Sequence, residues 1–216
     1  MNLSTYHYEI YHADLFSVFF SISIAIAQNG LYATLSDLYA DKYEEVTQLS
    51  VDRRSKIQAA SIMGADYKVS VPSDKKMNKY LKKKCYAVKQ DDSFYVNCKR
   101  LKYKRFRFGY GYAPAYWIDG CIYFKAIPVG SVTAHATTSM NVKLGGTVGD
   151  AFAASGLISQ RVFYMINPET GKAEFVGKER IWHLLEGNNS LQDKLLEEDN
   201  ESAETLEPYL LAVKSR

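Results

Sequence analysis

Residues 94–124, which read FYVNCKRLKYKRFRFGYGYAPAYWIDGCIYF, decide the fold. Eleven of these 31 residues are aromatic, and the basic residues cluster in the first half. The second half predicts a hairpin, because residues 113–117 and 121–126 have strand composition and Asp119-Gly120 between them is typical of a tight turn. We therefore expect residues 94–124 to form the middle of an antiparallel meander.

Residues 15–27, LFSVFFSISIAIA, resemble the apolar core of a signal peptide. The run is too short to span a bilayer, which takes about 20 residues, and its end at Ala25-Ile26-Ala27 fits a small-x-small cleavage site. Residues 1–14 carry Glu9 and Asp14 and no Lys or Arg, whereas the start of a signal peptide is normally basic. The alternative is a buried strand or helix. We favour the signal peptide and expect an exported protein of the periplasm or cell envelope.

Three cysteines are present, and export would allow two of them to form a disulfide. Residues 84–88 and 94–98 predict a hairpin that places Cys85 opposite Cys98. The alternative is two reduced cysteines packed as small apolar residues, and Cys121 is expected to be buried in a strand. No Cys or His spacing is typical of a metal site, so we expect neither a metal nor a cofactor.

Aromatic and basic residues alternate along residues 99–108, which predicts a strand with one apolar and one cationic face. Single-stranded nucleic acid would suit such a surface, but export disfavours that partner. Lipid phosphates, anionic glycans and acidic proteins remain, and Tyr and Trp rings also stack on sugars. The alternative, which we favour, is a sheet with a buried aromatic face and a basic solvent face. The candidate binding residues are Lys102, Tyr103, Arg105, Arg107, Tyr110, Tyr112 and Trp117.

Charge is distributed unevenly along the chain. Residues 68–107 hold fourteen Lys and Arg against three Asp and Glu, whereas residues 178–216 hold five against nine. Within the basic part, residues 73–84 read SDKKMNKYLKKK and predict a helix capped by Ser73 with its apolar side chains on one face. This helix is either an anion-binding or membrane-surface element, or a solvated connector whose apolar face is docked. We favour the connector.

The N-terminal part beyond the signal segment gives weaker patterns. Residues 31–35 alternate like a strand, and Ser36 is a candidate N-cap for a short helix. Residues 52–64 fit neither the helical nor the strand period. Residues 67–71 alternate clearly and predict a strand that Pro72 ends.

Residues 141–158 are rich in Gly and Ala, with small residues at three-, four- and seven-residue spacings. Such spacing permits close helix–helix approach, including in membranes. Lys143 and Asp150 leave the apolar run short for a membrane span. The alternative to membrane contact is a surface loop followed by a close-packed helix, which we favour.

Residues 162–166 and 173–176 predict a hairpin, with Pro168 placed for a type I turn and Gly171 for the left-handed residue after it. Residues 178–186 predict a helix with one apolar side. The acidic remainder of the chain ends in an apolar patch that either docks or frays.

Motifs that carry chemistry are absent from the sequence. No phosphate loop, nucleophile elbow or HExxH motif occurs. His135 lies among several Ser and Thr residues, as in a hydrolase, but any Ser/Thr-rich loop would look the same. We assign no catalytic residue.

The segments YVNCKRLKY, FGYGYAPAYW, PVGSV and RVFYMINPETGKAEFVGKE carry a resemblance to a known family. Over residues 31–185 the chain resembles a family of uncharacterised exported proteins of Bacteroidetes with a domain of unknown function. The resemblance implies a secreted or periplasmic β-rich protein. It supplies no catalytic residues.

These patterns together predict an α+β fold, in which an antiparallel β-sheet meander is followed by C-terminal helices and a small-residue-rich helix or loop is inserted between hairpins. The expected divisions are a signal peptide at 1–27, a β-rich domain at 28–187 and an acidic helical tail at 188–216. We expect a non-enzymatic exported protein that binds or scaffolds, with an anionic envelope component or another envelope protein as partner. The alternatives are membrane association through residues 141–158 and a hydrolase that uses His135.

Overall fold

The computed structural model describes residues 29–55, 58–59, 65–133 and 160–214. The predicted signal peptide, His135 and residues 141–158 lie outside the described residues. Predictions that concern those segments therefore stay predictions.

The described residues form one ten-stranded sheet, one small hairpin and a set of helices. The sheet contains β1 (Asn29–Tyr32), β2 (Glu44–Glu45), β3 (Ser50–Arg53), β4 (Tyr67–Ser70), β5 (Ala87–Gln90), β6 (Ser93–Asn97), β9 (Tyr112–Ile118), β10 (Cys121–Ala126), β11 (Val162–Ile166) and β12 (Ala173–Val176). The hairpin consists of β7 (Lys102–Tyr103) and β8 (Phe106–Arg107). The helices are α1 (Leu35–Tyr39), α2 (Lys75–Lys83), α3 (Lys178–Leu184), α4 (Asn189–Glu197) and α5 (Ala203–Lys214).

All strand pairs of the sheet are antiparallel, and its main path has the order β12-β11-β10-β9-β6-β5-β1-β2. The pair β3–β4 joins this path at β9, where Tyr67 lies opposite Tyr112. β9 thus pairs with β6 on one edge and with β10 and β4 on the other. The predicted α+β class, with an antiparallel sheet and C-terminal helices, is confirmed.

The two faces of the sheet are covered by different elements. In β11, Tyr164 belongs to the cluster that packs against α1 and the β7–β8 hairpin, whereas its neighbour Phe163 belongs to the cluster under α3, α4 and α5. β9 alternates in the same way, and its first residue, Tyr112, packs in a third cluster together with Leu81 of α2. One face therefore carries α2 and the C-terminal helices side by side, and the other carries α1 and the small hairpin.

The predicted hairpins have the expected registers. Val88 lies opposite Tyr95, and the turn between β5 and β6 is Asp91-Asp92. The β9–β10 turn has positive φ at both Asp119 (48°) and Gly120 (70°), which is the backbone of a type I′ turn. Such a turn matches the right-handed twist of the strands that it joins.

The cysteines of the first hairpin are free thiols in the structure. The pairing of the two residues follows the expected register, since the backbone amide of Asn97 donates to the carbonyl of Tyr86, the residue just before β5. Regular strand geometry ends at this point, however. Cys85 packs with the residues under α2, whereas Cys98 packs in the cluster on the opposite face. Of the two alternatives for these cysteines, the structure has the packed thiols and not the Cys85–Cys98 disulfide, because the two side chains enter different hydrophobic clusters.

The predicted continuous strand through residues 99–108 is wrong. β6 ends at Asn97, whose side-chain oxygen accepts a hydrogen bond from the Lys99 amide and caps a 3-10 turn over Cys98–Arg100. The chain then forms the separate β7–β8 hairpin, in which Lys104 has a φ of 52°. Aromatic and basic residues still lie on different sides within the hairpin, since the aromatic rings face the core and the Lys and Arg side chains are exposed.

The first two helices begin at caps other than those expected from the sequence. Thr34, not Ser36, caps α1, and Thr34 and Asp37 form a reciprocal capping box. Asp74, not Ser73, caps α2, and Ser73 has a left-handed φ of 62° in the turn before it. In both cases the carboxylate is within reach of backbone amides at the helix start, where negative charge is stabilising.

The C-terminal segment docks on the sheet through α5. Leu206 and Leu210 are fully buried against the sheet face. Beside them, the Glu207 carboxylate accepts a hydrogen bond from the Tyr116 hydroxyl and forms an ion pair with the Lys125 ammonium at 2.7 Å. The helix thus joins the sheet by apolar burial and by one charged contact to β9 and β10.

This charged contact predicts a dependence of stability on acid pH. Burial by itself would raise the pKa of Glu207, but the hydrogen bonds from Lys125 and Tyr116 outweigh it and lower that pKa. A carboxyl with a lowered folded-state pKa stabilises the fold above its unfolded pKa and loses that contribution as the pH falls through the folded value. The variant Glu207→Gln should therefore lose less thermal stability than wild type between pH 6 and about pH 3, measured by circular dichroism melts. An equal loss in both proteins would contradict a role for this carboxylate.

Candidate functional site

The candidate binding residues lie in three separate places. Lys102, Tyr103, Arg105 and Arg107 lie on the β7–β8 hairpin, Tyr110 and Tyr112 at the start of β9, and Trp117 near its end. Tyr112 and Trp117 are five residues apart in a strand, which corresponds to roughly 17 Å. The predicted continuous surface is therefore divided into a hairpin, a groove and a pocket.

The rings of the hairpin are occupied by the protein itself. Tyr103 is buried and meets Tyr164 edge to face at a centroid distance of 5.6 Å. The Arg105 guanidinium lies 5.2 Å from the ring centroid of Phe106, which packs against the core. These rings build the core, so the hairpin offers exposed charges but no free stacking face.

A cationic groove lies between α2, the β3–β4 pair and the start of β9. It encloses about 660 Å³. The described residues that line it are Arg54, Gln58, Lys68, Lys82, Lys83, Lys99 and Tyr110. We name this the lysine groove. Five of these seven residues are basic and none is acidic, so the groove has a positive potential that concave walls strengthen.

Tyr110 is the exposed aromatic ring of the lysine groove. Its side chain is 48% exposed. The Lys99 ammonium lies 5.1 Å from its ring centroid and the Lys82 ammonium 6.0 Å, both within the range of a cation–π interaction. Both ammonium groups therefore contact the same ring.

Arg54 forms the inner wall of the lysine groove. Its Nη1 donates to the carbonyl oxygens of Ala65 at 2.7 Å and Tyr67 at 2.8 Å, and the described salt bridges do not include it. Burial lowers the pKa of the guanidinium, and the nearby Cys98 and Asp66 oppose that shift. Arg54 is thus a partly desolvated cation that is oriented by backbone carbonyls.

The position of Tyr110 depends on the glycine that follows it. Gly111 has a φ of +108°, which strongly favours glycine. A Cβ at this position would also collide with the Arg54 guanidinium and the Tyr67 carbonyl oxygen. The Tyr110 carbonyl accepts from the Ala65 amide at 2.9 Å and the Gly111 carbonyl from the Cys98 amide at 2.9 Å, so both residues are fixed to their neighbours.

The lysines of the groove are positioned by a buried amide. Asn97 is 1% exposed, and its Nδ2 donates to the carbonyl oxygens of Leu81 at 3.0 Å and Cys85 at 2.8 Å. The Leu81 carbonyl also accepts from the Tyr112 hydroxyl at 2.8 Å. This carbonyl belongs to the last turn of α2, where carbonyls have no partner within the helix. The contacts therefore attach the end of α2, which carries Lys82, to β6 and β9.

An aromatic pocket lies near the other end of β9, on the face that carries α1. It encloses about 250 Å³. It is lined by Tyr32, Leu38, Tyr39, Asp41, Lys89, Asp92, Ser93, Phe94 and Trp117. We name it the Trp117 pocket. Its walls come from β1, α1, β5, β6 and β9 and from the loops next to them, so several elements converge on one small cavity.

The cysteines offer no reactive thiol at either place. Burial raises the pKa of Cys85 to about 11 and that of Cys98 to about 12. Thiols with such pKa values are almost entirely protonated at neutral pH and are poor nucleophiles. Among the described residues, no three or more His, Cys, Asp or Glu side chains are grouped so that they could hold a metal ion.

Comparison with known proteins gives one result. A family model matches residues 30–216, which is most of the chain. The chain belongs to this family, a family of unknown function (DUF6563). The resemblance to a domain of unknown function is thereby confirmed, and the match extends through the acidic C-terminal segment. Neither the curated proteins nor the solved structures contain a match.

The lysine groove of this DUF6563 chain contains residues that the sequence did not single out. Arg54 lies in a stretch that fits neither the helical nor the strand period. Lys68 lies in a predicted strand to which no binding role was assigned. Two features of the sequence did point to the groove: Tyr110 was a candidate binding residue, and an anion-binding element was one of the two interpretations of the lysine-rich helix. Its apolar face is docked, as the other interpretation requires, because Leu81 is fully buried. The two interpretations are compatible.

Loss of the Asn97 amide should destabilise the fold. The variant Asn97→Ala leaves the Cys85 carbonyl and the Lys99 amide without their partner, so we expect about 2–3 kcal/mol less stability, measured by urea denaturation. Asn189→Ala, at an exposed asparagine of α4, is the matched control and should change stability by less than about 0.5 kcal/mol. Equal effects of the two variants would show that the buried amide has no special role.

Proposed function

We propose that this protein is a non-enzymatic exported binding protein that holds an acidic polysaccharide of the cell envelope in its lysine groove. The observation that carries the proposal is the set of five basic side chains around Tyr110, with no acidic residue among the described lining residues. The resemblance to exported proteins of Bacteroidetes supports an envelope location and that bacterial origin.

An anion would relieve an unfavourable charge distribution in the groove. Lys82 and Lys99 lie near one ring, and Arg54 lies partly buried beside them. Exposed cation–π contacts contribute only about 0.5–1 kcal/mol each. They are therefore small beside what a ligand carboxylate or sulfate could gain by hydrogen bonding to several cations at once.

The shape of the groove favours a polysaccharide over a membrane surface. The groove is concave, whereas lipid headgroups form a plane and would contact fewer of its lining side chains at once. None of the helices in the described part of the chain is long and apolar enough to span a membrane. A flexible chain with regularly repeated charges can enter the groove and follow its length.

Single-stranded nucleic acid also carries regularly repeated negative charge, together with bases that stack on aromatic rings. The groove has fewer aromatic rings than a typical site for such a ligand. Single-strand binding surfaces present several free rings to successive bases. Here Tyr110 is the one ring among the described lining residues, and two ammonium groups lie close to it. The arrangement therefore favours charge recognition over base stacking.

Removal of the two ring-associated charges should weaken binding. We expect the double variant Lys82→Gln/Lys99→Gln to bind polygalacturonate at least about tenfold more weakly than wild type, a loss of about 1.4 kcal/mol. Isothermal calorimetry at low and moderate salt measures this change, and the wild-type affinity should fall with salt because exposed charges are screened. Neutral dextran should not bind.

The matched control removes the same amount of charge, two lysines, from the start of α2. Lys75 and Lys76 lie at the start of α2 and outside the groove lining, roughly 9 Å along the helix axis from Lys82. Lys75→Gln/Lys76→Gln should therefore weaken binding by less than about threefold at moderate salt. The proposal fails if both double variants weaken binding equally, or if single-stranded DNA or anionic vesicles bind more tightly than the polysaccharide.

Export has its own test. Expression of the full chain in a Bacteroidetes host, followed by cell fractionation and mass spectrometry, should yield an envelope or periplasmic protein that begins at Gln28. The expected reason is cleavage after Ala27. Recovery of the uncleaved chain in the cytoplasm would contradict export and leave the binding experiment unaffected.

A further inference from the structure

We propose that the Trp117 pocket is a second binding site, which takes one residue of a neutral oligosaccharide. The site is separate from the lysine groove and is of opposite chemical character. Trp117 points to the sheet face that carries α1, whereas the lysine groove is lined by Lys82 and Lys83 of α2, which packs on the other face. Neither site shares a described lining residue with the other.

The rings of the pocket are held in place while one of them stays accessible. The Trp117 indole is 37% exposed and meets the Tyr39 ring edge to face, with centroids 5.0 Å apart and planes at 64°. Phe94 of β6 adds a further partly buried ring to the wall. An accessible indole held rigidly by a second ring is suited to pack against the C–H face of a pyranose.

The polar groups around the rings match hydroxyl groups better than a charged ligand. Asp41 and Asp92 supply acceptors, whereas Lys89 and Ser93 supply donors. The Tyr32 hydroxyl donates to Asp41 Oδ1 at 2.7 Å, which orients this carboxylate and leaves its other oxygen for a ligand. Because both signs of charge are present, neither a simple cation nor a simple anion finds a uniform environment.

The size of the pocket limits what it can take. Sites for drug-sized ligands enclose roughly 300–1,000 Å³, and the Trp117 pocket encloses about 250 Å³. This volume suits one ring with its substituents. A longer oligosaccharide would place one residue in the pocket and extend over the surface beside it.

The chain allows a fluorescence measurement that reports only this site. It has two tryptophans, Trp117 and Trp182. Trp182 has a buried indole nitrogen without a hydrogen-bond partner among the described residues, so Trp182→Phe removes no hydrogen bond and leaves Trp117 as the single tryptophan. Titration of this variant with cellotriose, chitotriose and maltotriose should give a saturable change in emission for at least one, with a Kd on the order of 1 mM.

Variants of the wall then test the geometry by saturation-transfer NMR with the trisaccharide that responds. Trp117→Ala and Phe94→Ala should each weaken binding at least about tenfold. Leu196→Ala removes an exposed apolar side chain, 63% exposed and outside both sites, and should leave binding unchanged.

Three results would overturn the proposal. The first is no response of Trp117 emission to any of the trisaccharides. The second is unchanged binding in a Trp117→Ala variant that thermal melts show to be folded. The third is a response to choline chloride but not to sugars, which would identify an organic-cation site. Each result is independent of the lysine groove, whose variants are measured with polygalacturonate.

Discussion

The side-chain amide of Asn97 is the contact on which the arrangement of this protein most depends. It lies where β6 ends, and it bonds to the carbonyl oxygens of Leu81 and Cys85 and to the amide of Lys99. A buried amide with unmade bonds would cost about 1–3 kcal/mol for each group. These hydrogen bonds therefore fix three elements relative to one another: the end of α2, the end of β6 and the start of the 3-10 turn. The lysines of the groove are near neighbours of these groups in the chain.

β9 relates the two candidate sites to one another. It pairs on both edges, so its backbone is held along its whole length. Successive side chains point to opposite faces, which places Tyr112 on the side of α2 and Trp117 on the side of α1. Tyr110 of the lysine groove lies two residues before β9 and Trp117 of the pocket lies near its end, so this strand connects the two candidate sites.

Local patterns in the sequence correctly predicted the turns and hairpins that are determined by residues close together in the chain. The Asp119-Gly120 turn, the Pro168 and Gly171 loop and the β5–β6 register all depend on residues close in the chain. The strand through residues 99–108 failed because alternation cannot reveal that Asn97 bonds to a helix end sixteen residues earlier. The groove was missed for the same reason. Arg54, Lys82 and Lys99 meet only after the β3–β4 pair and α2 have packed against β9.

The lysine groove lowers the stability of the folded protein. Like charges brought together repel, and a partly buried guanidinium loses hydration. The end of α2 offsets part of this cost, because lysines in the last turn of a helix interact favourably with its dipole. That compensation applies to Lys82 and Lys83; Arg54 instead donates to two backbone carbonyls and has the Asp66 carboxylate nearby. Arg54 thus satisfies two backbone carbonyls beside the β3–β4 pair while it remains part of the lining of the groove.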